Sequence, residues 1–285
     1  MPSSKQKYLE LINKVLVRIP IFRKQGVFLD LAKKYELLHP FYMRGTNIGS
    51  NSMASFQAGE KVFDYLSLWL PKNENLTILD AGCGDGRVAA AFARKIQHRI
   101  SKYEGFDIHK DRINALNELF SDGIKFNFKH IDIFHTYYNP EGKINPLDFK
   151  YPYNENFFDL IFLNSIFSHM RLAVIKKNLA EAAKVLKNEG LIWATIYILD
   201  HQDTSANHIQ DKKRQFVYPY DEGMTSTPDD PERAVAFPLE VVNQMINELG
   251  LKIEKRIAGY WRGTKTSLDQ HEQDILILKK ASSYK

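Results

Sequence analysis

Apolar positions recur along this chain with two different periods. Up to residue 71 the spacing is helical. "KQKYLELINKVLVRI" puts Leu9, Ile12, Val15, Leu16 and Ile19 on one face, and Pro20 ends the run. "GVFLDLAKKYELLH" repeats the pattern before Pro40, and "FQAGEKVFDYLSLWL" carries it to Pro71. The glycine- and serine-rich "MRGTNIGSNSMAS" joins the last two. Beyond residue 71 short apolar runs alternate with helical segments. "LTILDA" precedes "RVAAAFARKIQ", "YEGFDI" precedes "KDRINALNELF", and "IKFNFKHIDIF" follows. "FFDLIFLNS" then leads into "LAVIKKNLAEAAKVLK" and "GLIWATIYIL". Such alternation predicts an α/β fold, a mostly parallel sheet with helices on both faces.

The run Leu191–Leu199 is almost wholly apolar, as a strand buried on both faces should be. "LKIEKRIAGY" and "QDILILKK" have no helix-sized apolar segment between them, so they read as an antiparallel pair at the end of the sheet. Two stretches interrupt the rhythm, near residues 134–156 and 199–237. Both are rich in Tyr, Pro, Asn and Asp. Long insertions in a compact domain often act as lids or binding loops. The expected organisation is a helical extension over 1–55, packed on one domain over 56–285 that carries both insertions.

Charge narrows the partners. The chain has 39 basic and 34 acidic residues, net +5, and they are interspersed without a polybasic arm. That pattern disfavours an extended nucleic-acid surface. The single cysteine, Cys83, excludes an intramolecular disulfide and fits a reducing compartment. No stretch approaches the roughly 18 apolar residues that would span a bilayer, and "YLELINKVLVRIPIF" is too broken by charge to be a signal-peptide core. The expected location is cytoplasmic. His201, His208 and His271 lack metal-ligand spacing, so no metal site is expected.

The chemistry starts at "LTILDAGCGDGR". A strand ends in Asp80, and Gly82, Gly84 and Gly86 follow at every second position. Glycines let a ligand approach the main chain closely. The spacing is neither that of a dinucleotide fingerprint nor that of a P-loop. Asp80 and Asp85 would repel a pyrophosphate but suit a cationic ligand or one with an amino group. Asp107 ends the second strand and can accept from both hydroxyls of a ribose. Asp132, about 25 residues on at the end of the third, can accept from an adenine amino group.

These residues, with "FDLIFLNSIFSHM", resemble the class I S-adenosylmethionine-dependent methyltransferases over roughly residues 56–280. The resemblance implies a Rossmann-like, seven-stranded, mostly parallel sheet with an antiparallel last strand. It implies S-adenosyl-L-methionine lying across Asp80, Ala81, Gly82, Cys83, Gly84 and Gly86, with its ribose on Asp107. The adenine would lie between Ile108 and the Asp132–Ile133 turn, and Asn164 would face the methionine part or the substrate. Cys83, inside the loop, reads as a packing residue.

The acceptor side is less determined. His169 follows the fourth strand, where an imidazole either deprotonates a hydroxyl acceptor or fills the pocket wall. Tyr197, Asp200 and His201 follow the fifth strand and either contact the acceptor or simply end a strand. Arg44 and Gln57 either reach the donor's carboxylate or are solvated. The aromatics Tyr137, Tyr138, Tyr151, Tyr153, Phe216, Tyr218 and Tyr220 either stack on a sugar or ring or pack the insertions onto the domain. The leading expectation is O-methylation of a small-molecule or saccharide hydroxyl. The alternatives are a nucleic-acid or protein methyltransferase and a cofactor-binding scaffold without activity. "NSIF" after the fourth strand, in place of Asn/Asp-Pro-Pro-Tyr/Phe, argues against an amide or exocyclic amine acceptor.

Overall fold

A computed structural model of the chain describes residues 52–120, 125–200, 214–262 and 271–281. The helices expected over 5–40, Arg44, and residues 1–51 of the extension expected over 1–55 lie outside the described residues.

From α1 (Ser52–Ser67) onward the alternation of periods becomes alternation of elements. β1 (Leu76–Ala81), β2 (Ile100–Asp107), β3 (Phe126–His130), β4 (Phe158–Leu163) and β5 (Leu186–Leu199) pair in parallel in the order β3-β2-β1-β4-β5. α2 (Arg87–Ile96), α3 (Lys110–Leu119) and α4 (Leu172–Val185) connect them. α5 (Leu239–Glu248) leads into β9 (Leu251–Ile257). β10 (Asp274–Lys280) runs antiparallel to both β5 and β9 and lies between them. This is the expected seven-strand frame, with its antiparallel last strand inserted beside β5.

Period-two alternation sends neighbouring strand residues to opposite faces. Ile78, Leu160, Phe162, Trp193 and Ile277 join residues of α1, α2 and α3 in one core. Leu79, Ile161, Ile192 and Leu276 join α4 and α5 in the other. Both faces are covered, which is why these strands read as continuous apolar runs. α2 follows from local chemistry: three consecutive alanines favour helix, and Arg94 and Lys95 sit in the last turn, where cations complement the helix dipole. Those two side chains also bind Glu60 and Asp64 of α1, and Phe63 meets Phe92 edge-on at 4.9 Å.

The insertions hold structure that hydrophobic pattern did not disclose. In the second, β6 (Tyr218–Tyr220), β7 (Gly223–Thr225) and β8 (Val235–Pro238) form a small antiparallel group. β8 pairs in parallel with Tyr197–Leu199, so the seven-strand frame grows to ten strands. Strands of three or four residues are too short to show a period. Tyr197, Phe216, Ala234, Ala236 and Trp261 form a third apolar cluster there. The first insertion closes on itself through bridges Ile133–Ile144 and His135–Asn139. It is pinned by Phe149 and Tyr151, whose rings meet Phe106 at 5.5 and 5.0 Å.

Candidate active site

A cleft of about 1360 Å³ opens over the carboxyl ends of β1, β2, β4 and β5. Its two halves are built differently.

The half over β1 and β2 is mostly main chain. Gly82, Gly84 and Gly86 have φ of +80°, +56° and +70°. At Gly86 a side chain is blocked twice, by that φ and by Leu116, whose Cδ2 lies 2.2 Å from where a Cβ would stand. At Gly84 nothing lies within 4 Å of that position, so bare backbone faces open space. The loop is tied to β2 by the Gly82 and Cys83 N–H groups, which both donate to the Phe106 carbonyl at 2.9 and 3.0 Å. Asp107 completes the clamp. Its Oδ2 accepts from Gly84 N–H at 2.8 Å and its Oδ1 from His109 N–H at 2.9 Å. Each carboxylate oxygen keeps a lone pair for a ligand hydroxyl.

Beneath the loop, Asp80 is 2% exposed and accepts from the Tyr103 hydroxyl at 2.8 Å. Burial pushes its carboxyl up to about 8; the Asp107 and Asp85 charges add to the rise, while the Tyr103 hydrogen bond and Arg87 oppose it. A cationic group at the loop would stabilise the ionised form. Burial, then the Asp80 and Asp107 charges, raises the Cys83 thiol, which makes it an inert packing group. Asn164, just beyond β4, lines the cleft, and its buried Oδ1 has no hydrogen-bond partner. A ligand amino group is the kind of donor that would satisfy it.

The half beyond β4 and β5 is made of side chains from distant segments. His169 ends a 3-10 turn, Phe167–His169. Its Nδ1 lies 3.2 Å from the Glu232 carbonyl, which has only lone pairs to offer, so Nδ1 carries the proton. Nε2 is therefore an acceptor, with the Tyr138 hydroxyl 3.5 Å away and the Tyr138 ring edge-on at 5.3 Å. Burial lowers the imidazole to about 4, so it stays neutral through the physiological range. The Glu232 carboxylate gathers three segments: it accepts from Thr136 Oγ1 of the first insertion at 2.9 Å, from Arg171 Nε at 3.0 Å and from the Tyr220 hydroxyl at 3.0 Å. At the far wall Glu272 Oε1 accepts from the Tyr197 hydroxyl at 3.0 Å and from Arg214 Nε at 2.7 Å.

Of the residues singled out by sequence, Asp80, Gly82, Cys83, Gly84, Asp107, Ile108, Ile133, Asn164, His169 and Tyr197 all line this cleft. Ala81 and Gly86 are buried beneath the loop. Asp132 is placed elsewhere, because β3 ends two residues earlier. Its carboxylate accepts from Asn139 Nδ2 at 3.1 Å and its carbonyl from the Lys143 and Ile144 N–H groups, so it organises the first insertion. Asp200 turns away to Arg256, 3.1 Å from Nη1. His201 lies outside the described residues. Tyr197 is 1% exposed and packs against Phe216 and Trp261, so its part in the wall is to hold neighbours. Among the described residues no cluster of three or more potential metal ligands occurs, and no helix is long and apolar enough to cross a membrane.

Sequence reasoning missed Glu232, Glu272 and Gln273. Glu232 lies in "DDPERAV" and gave no signal, since its partners are 12 to 96 residues away in the chain. Glu272 and Gln273 had a weak one, being the polar pair immediately before a buried strand.

Residues 78–190 match a family described as a methyltransferase domain. Several solved structures share the fold. The PH0226 protein from Pyrococcus horikoshii is 16% identical with a TM-score of 0.51, over 85% of this chain and 98% of that one. The mitomycin 7-O-methyltransferase MmcR is 9% identical with a TM-score of 0.52, over 81% and 55%. The [4+2]-cyclase SpnF is 14% identical with a TM-score of 0.51, over 80% and 83%. An O-methyltransferase and a cyclase on one fold leave the reaction to be argued from the site. The methyltransferase domain over residues 78–190, the strand order and the acid-flanked glycine loop together support a class I S-adenosylmethionine-dependent methyltransferase that takes S-adenosyl-L-methionine as its cofactor.

Proposed function

We propose that the enzyme methylates a hydroxyl group of a small molecule or saccharide, with His169 as the proton acceptor. The observation that carries this reading is the tautomer: the Glu232 carbonyl holds the proton on Nδ1 and leaves a lone pair on Nε2 inside the cleft. Gly82, Gly84, Asp107 and Asn164 would hold the donor, and Asp80 would balance its positive charge. When bound, S-adenosylmethionine supplies an electrophilic methyl group on a sulfonium that becomes a neutral thioether after transfer. One proton must therefore leave a hydroxyl acceptor, and His169 Nε2 is the atom placed to hold it. The buried imidazole, lowered to about 4, is a weak base that stays ready at neutral pH. The clasp of Thr136, Arg171 and Tyr220 on Glu232 keeps both insertions over that atom and limits water.

A polyanionic acceptor is disfavoured. Arg171 and Arg214, cations of this half, are each paired with a carboxylate at 3.0 and 2.7 Å. MmcR, named as an O-methyltransferase, supports the reaction class. The test is transfer from methyl-labelled S-adenosylmethionine to a panel of hydroxylated small molecules and saccharides, with the product examined by NMR. The label is expected on oxygen. Label on nitrogen or carbon would overturn the reading, and so would normal turnover by His169→Gln.

A further inference from the structure

Gln273 precedes β10 and is 6% exposed. Its amide nitrogen donates to Ser168 Oγ at 3.1 Å and also faces the Tyr197 hydroxyl. Tyr197 gives its proton to Glu272, so its oxygen is left to accept. The Tyr197 oxygen, left only to accept, settles which end is nitrogen. The other end, Oε1, is buried without a hydrogen-bond partner, and Gln273 lines the cleft. Native structures keep few buried carbonyl oxygens unpaired, because such an oxygen has lost water and gained nothing. A bound molecule with a hydrogen-bond donor is the group that restores the balance here.

The position of this oxygen says which molecule. Ser168, the anchor of the amide, is 1% exposed and directly precedes His169 in the 3-10 turn. The acceptor wall therefore offers two lone-pair atoms, His169 Nε2 and Gln273 Oε1, linked through consecutive residues. We propose that Gln273 is a specificity residue that selects a diol, an acceptor with a second hydroxyl besides the one that reacts. One hydroxyl gives its proton to His169 Nε2 and the other donates to Gln273 Oε1. Arg233 lines the same cleft and disfavours an ammonium in place of the second hydroxyl. In the transfer, the oxygen–hydrogen bond of the first hydroxyl and the sulfur–methyl bond break and an oxygen–methyl bond forms. The proton rests on Nε2, and the second hydroxyl is unchanged.

This inference rests on the methyl-transfer reading above, and its test separates the two. Catechol and methyl hexopyranosides are compared with phenol and the matching monodeoxy sugars, each in the presence of S-adenosylmethionine. Binding to the S-adenosylhomocysteine complex is measured in parallel. A site built to pair a hydroxyl rejects the analogue without it strongly, so the wild type should prefer at least one diol by about 100-fold or more. Gln273→Met should bring that ratio within about threefold, while S-adenosylhomocysteine affinity is unchanged. Gln273→Glu, which retains an acceptor oxygen, should keep most of the preference. The proposal is overturned if mono-ols perform as well as diols, or if Gln273→Met lowers both alike. It is equally overturned if no diol binds or reacts while S-adenosylhomocysteine binds. If S-adenosylhomocysteine itself fails to bind, the methyl-transfer reading falls and this inference falls with it.

Discussion

The two halves of the cleft, proposed above to hold the donor and the acceptor, are built by opposite routes. The donor half is the main chain of one loop, clamped by Asp107 on the adjacent strand. The loop and its clamp lie within 28 residues in sequence, from Asp80 to Asp107, and Asn164 joins them from beyond β4. The acceptor half is a set of side chains brought together from positions as far apart as Thr136 and Gln273. What the difference teaches is how each half should fail. Backbone conformation cannot be swapped residue by residue, so damage to the donor loop reaches the fold. Side chains over a finished scaffold can be exchanged, so damage to the acceptor half should stay local.

The largest expected effect breaks the donor half from below. Gly86→Ala meets a left-handed φ and Leu116 together, and should cost about 2–4 kcal/mol in urea unfolding. Gly84→Ala meets the left-handed φ alone; it should cost only about 1–2 kcal/mol yet weaken S-adenosylhomocysteine at least about tenfold, because its methyl enters the cleft. Equal losses of stability in the two variants would contradict the loop geometry.

Next, in the acceptor half, His169→Gln should lower kcat by about 10²–10³-fold and leave S-adenosylhomocysteine affinity within about twofold. Because the imidazole is held near 4, the wild-type rate should stay level as pH falls from 8 to about 5. An acid limb near 6.5 would show that the ring is not buried as described. The same depression has a stability consequence. The unfolded imidazole titrates near 6.5 and the folded one near 4, so the stability it contributes is present above that window and lost as pH falls through it.

Asp80 gives the opposite sign. Its folded carboxyl titrates at about 8, and an unfolded aspartate near 4. The unfolded chain releases that proton first, so its contribution to stability is lost as pH rises through this range. Asp80→Asn keeps an acceptor for Tyr103 and should flatten the decline in Tm between pH 6 and 9. An unchanged slope would mean that Asp80 is ionised in the folded protein. The smallest effect belongs to the clasp. Glu232→Gln should raise the acceptor KM about three- to fivefold, since partly exposed charge-assisted bonds are weak, with no change in donor affinity.

The same contrast explains what could be read from the chain. The strand frame was legible because Leu79 and Ile78 alternate between two cores, and the donor loop because three glycines need unusual φ at fixed spacing. Asp132 was misplaced by two residues of strand, since polar residues at a strand end do not announce where pairing stops. β6, β7 and β8 were hidden because strands this short carry no period. Glu232 and Gln273 were hidden for a deeper reason. Their roles come from contacts closed across 12 to 105 residues, and nothing local marks a side chain that will be met there.

The division of the cleft is tested most directly by calorimetric titration of S-adenosylhomocysteine into the wild type, Gly84→Ala and His169→Gln. The account predicts one site in the wild type, a loss of affinity of at least about tenfold in Gly84→Ala and no loss in His169→Gln. No binding by the wild type, or a loss in His169→Gln that Gly84→Ala does not share, would contradict it.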